Sequence, residues 1–426
     1  MMASPDYATF MHDDLPMPEI PRRPGIRPIA VAISDCHVRP GARIWKHAPK
    51  PFGDVIYAFR QCAHVVNALS PEFVFLLGDI LHANINPADV LGIVADFISQ
   101  LPQTIPVYYV QGQHDLSSPP WLSLLGSSDK TPRCRPLDSH VLRSEAGVSV
   151  LGLDFVRTPY NAFYANLEAN HLKEVDVVVT HQAWREVVGP GGNASFQDLG
   201  IFSGLKLVLS GDLHMFASFT HSTQVNHYLP TDERLEDPSQ QVSFRIVFSG
   251  TPCITDLNSQ PPYGVLILWP DLSVTHVPFF SRSIYKVHLE TPEDLERFRS
   301  EHPPETLADT HLPGDLQRPI LYVSGVPELL LIAKELYEDV SYFRMALKSA
   351  TFSISIASES KEIIHKEGYD FRVQLLNHLI SKNPKYAAVY REFLHVLEKP
   401  EDRDIYFRKA ISAVLDAEGL HEDSIL

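Results

Sequence analysis

The apolar positions of this chain alternate between two spacings. Residues 29–34 form a short run rich in Ile and Val, the pattern of a buried strand. Phe52, Val55, Ile56, Phe59, Cys62, Ala63, Val66 and Leu69 then recur at helical spacing. Residues 73–77 read as a second buried strand, Val90, Ile93, Val94, Phe97, Ile98 and Leu101 as a second amphipathic helix, and 107–110 as a third strand. Alternation of this kind predicts crossover connections and a largely parallel sheet covered on both faces. Further core strands are predicted at 148–153, 175–179 and 207–209, with a helix around 160–171.

The pattern then changes. Segments 242–248, 265–269 and 274–279 have β composition with Gly and Pro between them, and no helix separates the last two, which predicts a meander. The polar stretch 221–241 predicts a long surface loop. Beyond residue 283 a strand is expected at 285–289, then a helix opened by Thr291 with Asp294 three residues on. A strand at 320–323 and a helix from Pro327 to about Ser349 follow, with Ser324 and Gly325 as the turn between them. The segment 369–415 is helical by pattern, broken at Asn383 and Pro384. Prolines at 5, 16, 18, 21 and 24 with little apolar periodicity predict a mobile arm at the start. The expected organisation is therefore an arm over 1–27, a large α/β domain over 28–282, a small α/β domain over 283–350 and a helical region over 351–426.

Length and composition narrow the class. A chain of 426 residues holds two to three domains at roughly 150 residues each. Its 44% hydrophobic and 21% charged residues are those of a soluble globular protein. No apolar run reaches the roughly 18 residues that a membrane span requires, so a membrane protein is excluded. Lys and Arg number 36 against 52 Asp and Glu, a net charge of -16 that repels a polyanion unless cations or basic patches reverse it locally. The four cysteines form no C-x-x-C pair, which argues against a zinc knuckle or a disulfide framework and fits a reducing compartment. The early acids Asp6, Asp13 and Asp14 do not suit a leader, and the expectation is an intracellular, cytoplasmic protein.

The chemistry lies where the predicted strands end. Asp35 and His37 follow the first strand, Gly78, Asp79 and His82 the second, and Gln113, His114 and Asp115 the third. His181 follows 175–180, and Asp212 and His214 follow 207–210. One histidine at a strand end is usually a solvated polar residue, but five strand ends each delivering imidazole or carboxylate point to one crevice. Mixed nitrogen and oxygen ligands suit Mn, Fe or Zn better than Mg or Ca. A bridging carboxylate would let two metals clamp a phosphate ester and generate a hydroxide. The Gly189 to Gly192 stretch reads as a flexible loop, since no helix starts there with P-loop spacing.

These residues resemble the calcineurin-like metallophosphoesterases, whose signature is D-x-H, G-D, G-N-H-D or G-N-H-E, a lone His and G-H-x-H, all at strand ends. Here Asp35-Cys36-His37, Gly78-Asp79, Gly112-Gln113-His114-Asp115, His181 and Gly211-Asp212-Leu213-His214 stand in those places, over about residues 29–282. Gly78-Asp79-Ile80-Leu81-His82, with Ser249-Gly250-Thr251-Pro252 and Tyr263-Gly264-Val265, is similar to the SbcD-type DNA repair nucleases. The resemblance implies a four-layer sandwich of mixed sheets flanked by helices, with a small α/β cap domain and a helical tail. It implies two divalent ions, Mn in the first place with Mg, Fe or Zn as alternatives. Asp35, His37, Asp79 and His214 would hold one ion and Asp79, Gln113, His181 and Asp212 the other, with Asp79 bridging. His114 would stabilise phosphate charge or protonate the leaving oxygen, assisted by His82, while Asp115 either orients His114 or caps a turn.

By the same resemblance the substrate is DNA, the partner is an SMC-like SbcC-type ATPase docked on the helical tail, two copies pair as a homodimer, and the protein is nucleoid-associated. Two positions depart from the pattern. Gln113 replaces Asn, adding a methylene of reach, and Asp212 replaces the first His of G-H-x-H, a swap that makes the second site harder and more anionic. A phosphodiesterase or phosphatase for nucleotides or phosphoproteins, and a non-catalytic scaffold with a degenerate second metal site, are the alternative readings.

Overall fold

The computed structural model describes residues 15–39, 53–82, 88–117, 120–125, 133–157, 159, 161–163, 175–202, 204–228, 234–255, 260–312 and 314–347. The chain divides into two compact units, one of 1–323 with 331–344, the other of 324–330 with 345–426. All the chemistry below lies in the first.

The core of that unit is two six-stranded mixed sheets flanked by helices, as the sequence predicts. In the first sheet β1 (Ala30–Ile33), β2 (Phe73–Leu77), β3 (Val107–Val110) and β4 (Cys134–Pro136) run parallel. In the second, β5 (Val141–Arg143) pairs antiparallel with β6 (Ser149–Leu153), which runs parallel to β7 (Val177–His181) and β8 (Leu207–Gly211). The antiparallel pair β9 (Ala217–Tyr228) and β10 (Arg234–Phe248) completes the second sheet, giving the order β5-β6-β7-β8-β10-β9. The chain then returns to the first sheet as the hairpin β11 (Gly264–Leu268) and β12 (Val274–Pro278), giving β12-β11-β1-β2-β3-β4.

Strand alternation divides the core into layers, because successive side chains point to opposite faces. Ala30, Ala32, Phe75 and Leu77 face the second sheet's Val150, Val177, Val179, Leu207 and Leu209. Their neighbours Val31, Ile33, Val74 and Leu76 face the apolar stripes of the helices α1 (Asp54–Leu69) and α2 (Ala88–Gln100), which contribute Phe59, Cys62, Val66, Val94 and Phe97. On the far side, Leu151, Val178, Val208 and Ile246 pack beneath Trp184, Phe196, Leu199 and Phe202, carried by short turns.

Farther on, β13 (Ile284–Leu289), β14 (Ile320–Gly325) and β15 (Tyr342–Leu347) form a three-stranded sheet in that order. The helices α3 (Pro292–Glu301) and α4 (Pro327–Tyr337) belong to this region. Thr291 and Asp294 close the predicted capping box on α3.

Four expectations are corrected. The predicted loop 221–241 is mostly the long hairpin β9–β10. Its residues pair through the backbone from Ala217 with Phe248 out to Tyr228 with Arg234, and β9 is the edge of the second sheet. The predicted meander is split, since 242–248 joins the second sheet parallel to β8 and only β11 and β12 form a hairpin. The helix from Pro327 ends at Tyr337, whose carbonyl accepts the Val340 N–H, Ser341 N–H and Ser341 hydroxyl, and 342–347 is a strand. Of the mobile arm, residues 15–27 lie along the body: Arg23 sits 4.4 Å over the Trp269 ring and 3.0 Å from Asp271, and Arg27 pairs with Glu145 at 2.8 Å. Residues 1–14, most of the 160–171 helix and the 369–415 region lie outside the described residues.

Candidate metal centre

Both sheets send the carboxyl ends of their parallel strands to one end of the sandwich, and the backbone there is unusual. Asp35, His37, Asp79 and Asp212 have φ of 52°, 44°, 49° and 82°, four of the seven non-glycine residues with positive φ among the described residues. Such conformations cost of order 1–3 kcal/mol each and persist only where the surroundings impose them. The loops after β1 and β2 impose them by descending side by side. Asp35 N–H donates to Gly78 O at 3.0 Å, His37 N–H to Asp79 O at 2.9 Å and Val38 N–H to Ile80 O at 2.9 Å.

The side chains so placed converge. Three groups have ligand atoms close enough to share an ion: Asp35, His37 and His214; His37, Asp79 and His114; and Asp35, Asp79 and His181. His181, the last residue of β7 and fully buried, donates from Nδ1 to Leu77 O at 2.8 Å. That bond leaves Nε2 facing Asp79 Oδ2 at 3.5 Å, Asp212 Oδ1 at 3.8 Å and Asp35 Oδ1 at 4.0 Å. It is a buried ring nitrogen with no hydrogen-bond partner, ringed by carboxylates. On the other side His37 Nε2 stands 3.0 Å from His214 Nε2, and His214 Nε2 stands 3.6 Å from Asp35 Oδ1. Buried carboxylates and imidazole lone pairs facing one another need a cation between them. The residues present therefore fit divalent metal.

In the metal-free protein the His181 ring itself supplies part of that positive charge. Burial works to lower His181, but Asp79, Asp35 and Asp212 more than offset it and raise the imidazole to about 10. Burial raises Asp35 to about 6 against the pull of His181 and His214. Burial also works to raise Asp79, yet His181 and His37 hold it below the ordinary carboxylate range. His37 is lowered to about 3, chiefly by burial, and so presents a neutral ring.

The remaining predicted residues divide. His114 donates its backbone N–H to Asp79 Oδ1 at 2.8 Å, and its half-exposed ring reaches Asp79 Oδ2 at 3.9 Å. His82 stacks on His114 with ring centroids 5.2 Å apart and 16° between planes, and its Nδ1 lies 3.5 Å from His37 Nδ1. Gln113 meets Asp212, its Nε2 donating to Oδ1 at 3.0 Å. The buried Asp115 carboxylate accepts the N–H of Leu81 at 2.8 Å, Gly112 at 3.2 Å and Ile80 at 3.3 Å, fastening the loops after β2 and β3.

Two residues at this end escaped the sequence reading. Asp154 follows β6 just as the other candidates follow their strands, and its carboxylate accepts the Gln111 N–H at 2.7 Å and Gln111 Nε2 at 2.9 Å, joining the two sheets. The strand-end rule that found the others applies to it equally. Ser34, buried at the end of β1, carries no such signal, because serine is not a metal ligand of the classes sought.

Residues 30–216 match the model of the calcineurin-like phosphoesterase family. No curated protein matches the chain. Among solved structures, the TT1561 protein of Thermus thermophilus is similar at 15% identity and a TM-score of 0.35, covering 59% of this chain and 99% of its own. A dimetal phosphatase from Danio rerio has 11% identity and a TM-score of 0.35, covering 59% of this chain and 100% of its own. The nuclease MPE of Pseudomonas putida has 15% identity and a TM-score of 0.25, covering 57% of this chain and 84% of its own. Residues 30–216 thus match a calcineurin-like phosphoesterase domain, and the candidate ligands for divalent metal lie within them.

Proposed function

We propose that the protein is a divalent-metal-dependent nuclease that hydrolyses DNA phosphodiesters, the nucleolytic subunit of an SbcCD-like repair and recombination complex. The observation that carries the reading is the half-exposed His114 ring beside the buried Asp35, Asp79 and His181 cluster, stacked on the His82 of the G-D-x-x-H segment. Bound divalent ions, manganese in the first place, would polarise the phosphate and activate the attacking water.

The chain's own residues do the rest. Asp79 Oδ2 stands 3.8 Å from His37 Nε2 and 3.5 Å from His181 Nε2, and in this reading it would serve both metal positions, with Asp35, His37 and His214 holding one ion and His181, Asp212 and Gln113 the other. As water attacks phosphorus and the P–O bond to the leaving group breaks, His114 delivers a proton to the departing oxygen or holds the charge on the phosphoryl oxygens. His82 keeps the His114 ring in position by stacking. The net charge of -16 is met locally by the bound dications and by a partner that grips the duplex. That partner, an SMC-like ATPase seated on 369–415, and a second copy of this chain complete the proposed assembly, placed at the nucleoid.

The test is hydrolysis of plasmid, single-stranded DNA and bis-p-nitrophenyl phosphate with Mn, Mg or Zn, run on wild type and His114→Ala. Cleavage of DNA with loss of about 10²-fold or more in the variant, at unchanged metal content, supports the reading. Hydrolysis of the small ester alone favours a nucleotide or phosphoprotein enzyme, and silence on every substrate favours a scaffold.

A further inference from the structure

We infer that Ser34 is a positioning residue that holds Asp35 Oδ2 and so turns Asp35 Oδ1 toward the metal position. The inference rests on the metal-binding reading of the site and deepens it. Ser34 is fully buried. Its hydroxyl contacts Asp35 Oδ2 and lies 3.0 Å from Leu77 O, the same carbonyl that accepts His181 Nδ1 at 2.8 Å.

The carboxylate is held from two sides. The Asp212 N–H reaches both Asp35 oxygens at 3.2 Å, while Ser34 takes Oδ2 alone. Oδ1 is therefore the oxygen turned toward the site, where it stands 3.6 Å from His214 Nε2 and 4.0 Å from His181 Nε2. Asp35 is thus oriented by the Ser34 hydroxyl, and His181, beside it, by the Leu77 carbonyl.

The packing around this trio is close on the side of Gly211. A Cβ on Gly211 would stand 2.3 Å from Ser34 Oγ, 2.3 Å from His181 Nδ1 and 2.4 Å from Leu77 O. Gly211 is a glycine because the hydroxyl, the ring and the carbonyl occupy the space a side chain would need. Partners that orient metal ligands in this way typically contribute 10–100-fold to metal affinity.

The experiment measures Mn²⁺ binding by calorimetry and the visible spectrum of Co²⁺ on wild type, Ser34→Ala and Ser34→Thr, with melting of the metal-free proteins as the check on folding. Ser34→Ala is expected to lose about 10- to 100-fold in Mn²⁺ affinity and to change the Co²⁺ spectrum, since Asp35 Oδ2 is released to bind as well. Ser34→Thr, which keeps the hydroxyl, is expected to restore both. Should Ser34→Ala not fold, Ser34→Cys decides the same point, because a thiol fills the space but hydrogen-bonds weakly. Wild-type affinity and spectrum in a folded variant without the hydroxyl overturn the inference. A wild-type protein that takes up no Mn²⁺, Mg²⁺ or Zn²⁺ overturns instead the metal reading on which it stands.

Discussion

The protein buries charge in two places and treats it in opposite ways. At the start of α1, Asp54 receives Arg282 Nε at 3.1 Å and Nη2 at 3.2 Å, and both side chains are almost wholly buried. Arg282 also donates to the Arg318 carbonyl, and the Tyr342 ring has Arg282 at 4.9 Å and Arg318 at 4.8 Å. Two turns along the same helix, Gln61 pairs with the Phe280 backbone through both amide atoms at 2.8 Å. Each carboxylate oxygen has its donor, and the result is a clasp between α1 and the segment leading into β13. At the strand ends the balance differs: three carboxylates, Asp35, Asp79 and Asp212, crowd one imidazole nitrogen of His181, on a backbone bent into costly conformations. One carboxylate matched to one guanidinium holds structure together, whereas three carboxylates around one imidazole leave negative charge that a cation from outside completes.

The comparison breaks most sharply at its two carboxylates. Asp79→Ala should abolish metal binding and turnover yet leave a folded protein, because the apolar core layers and the Asp54–Arg282 clasp do not depend on it. Elemental analysis and a melting curve check this, and a variant that keeps its metal refutes a shared carboxylate. Asp54→Ala should do the opposite, keeping the metal ligands but destabilising the fold by about 3–5 kcal/mol, the usual penalty for leaving a buried charge unpaired. Denaturant titration of the two variants side by side reads both effects.

The same contrast shows what was legible in the sequence. Asp35, His37, Asp79, His181 and His214 could be found because parallel strands deliver their next residues to one edge, so a rule about position stands in for coordinates. Asp54 and Arg282 could not be found that way: they are 228 positions apart, and neither has a local pattern that marks it as buried. The hairpin β9–β10 escaped for a related reason, since within 221–241 it is held by backbone pairing between its own two strands and its sequence lacks the apolar alternation by which strands are recognised. Asp115 could be read as acid-base machinery or as a turn fastener, and only the direction of its carboxylate, toward Leu81, Gly112 and Ile80 N–H, separates the two.

Proton linkage sharpens the comparison at the metal centre. His181, raised to about 10 by its carboxylates once burial is overcome, carries a proton at neutral pH in the metal-free protein, and ligation must displace it. Metal affinity should therefore rise about tenfold per pH unit through neutrality, one proton per ion at that position. Below about pH 6 the dependence should steepen, as Asp35 is protonated too. Calorimetry at pH 7 in buffers of different ionisation enthalpy should show about one proton released. No release, or an affinity flat with pH, would mean that His181 is not displaced by the metal.

The smallest effect is expected where the centre meets solvent. Gln113 is exposed and its amide nitrogen reaches Asp212 Oδ1 at 3.0 Å, so these two residues act as a pair before either meets a metal. The longer side chain at 113 spans to the carboxylate that stands at 212, and the hydrogen bond holds Asp212 Oδ1 where it faces His181 Nε2 at 3.8 Å. Gln113→Asn shortens the reach and Asp212→His removes the acceptor, so each change alone should weaken metal binding. The double variant should recover part of both losses, because neither residue is then left with a partner of the wrong length. A coupling of about 0.5–1.5 kcal/mol is expected, the lower part of the range for residues in contact, since solvent competes for the Gln113 amide. Mn²⁺ affinities of the four proteins give that coupling directly. Strictly additive losses would mean that the two side chains serve the centre independently, and that their meeting in the metal-free protein carries no energy the metal site uses.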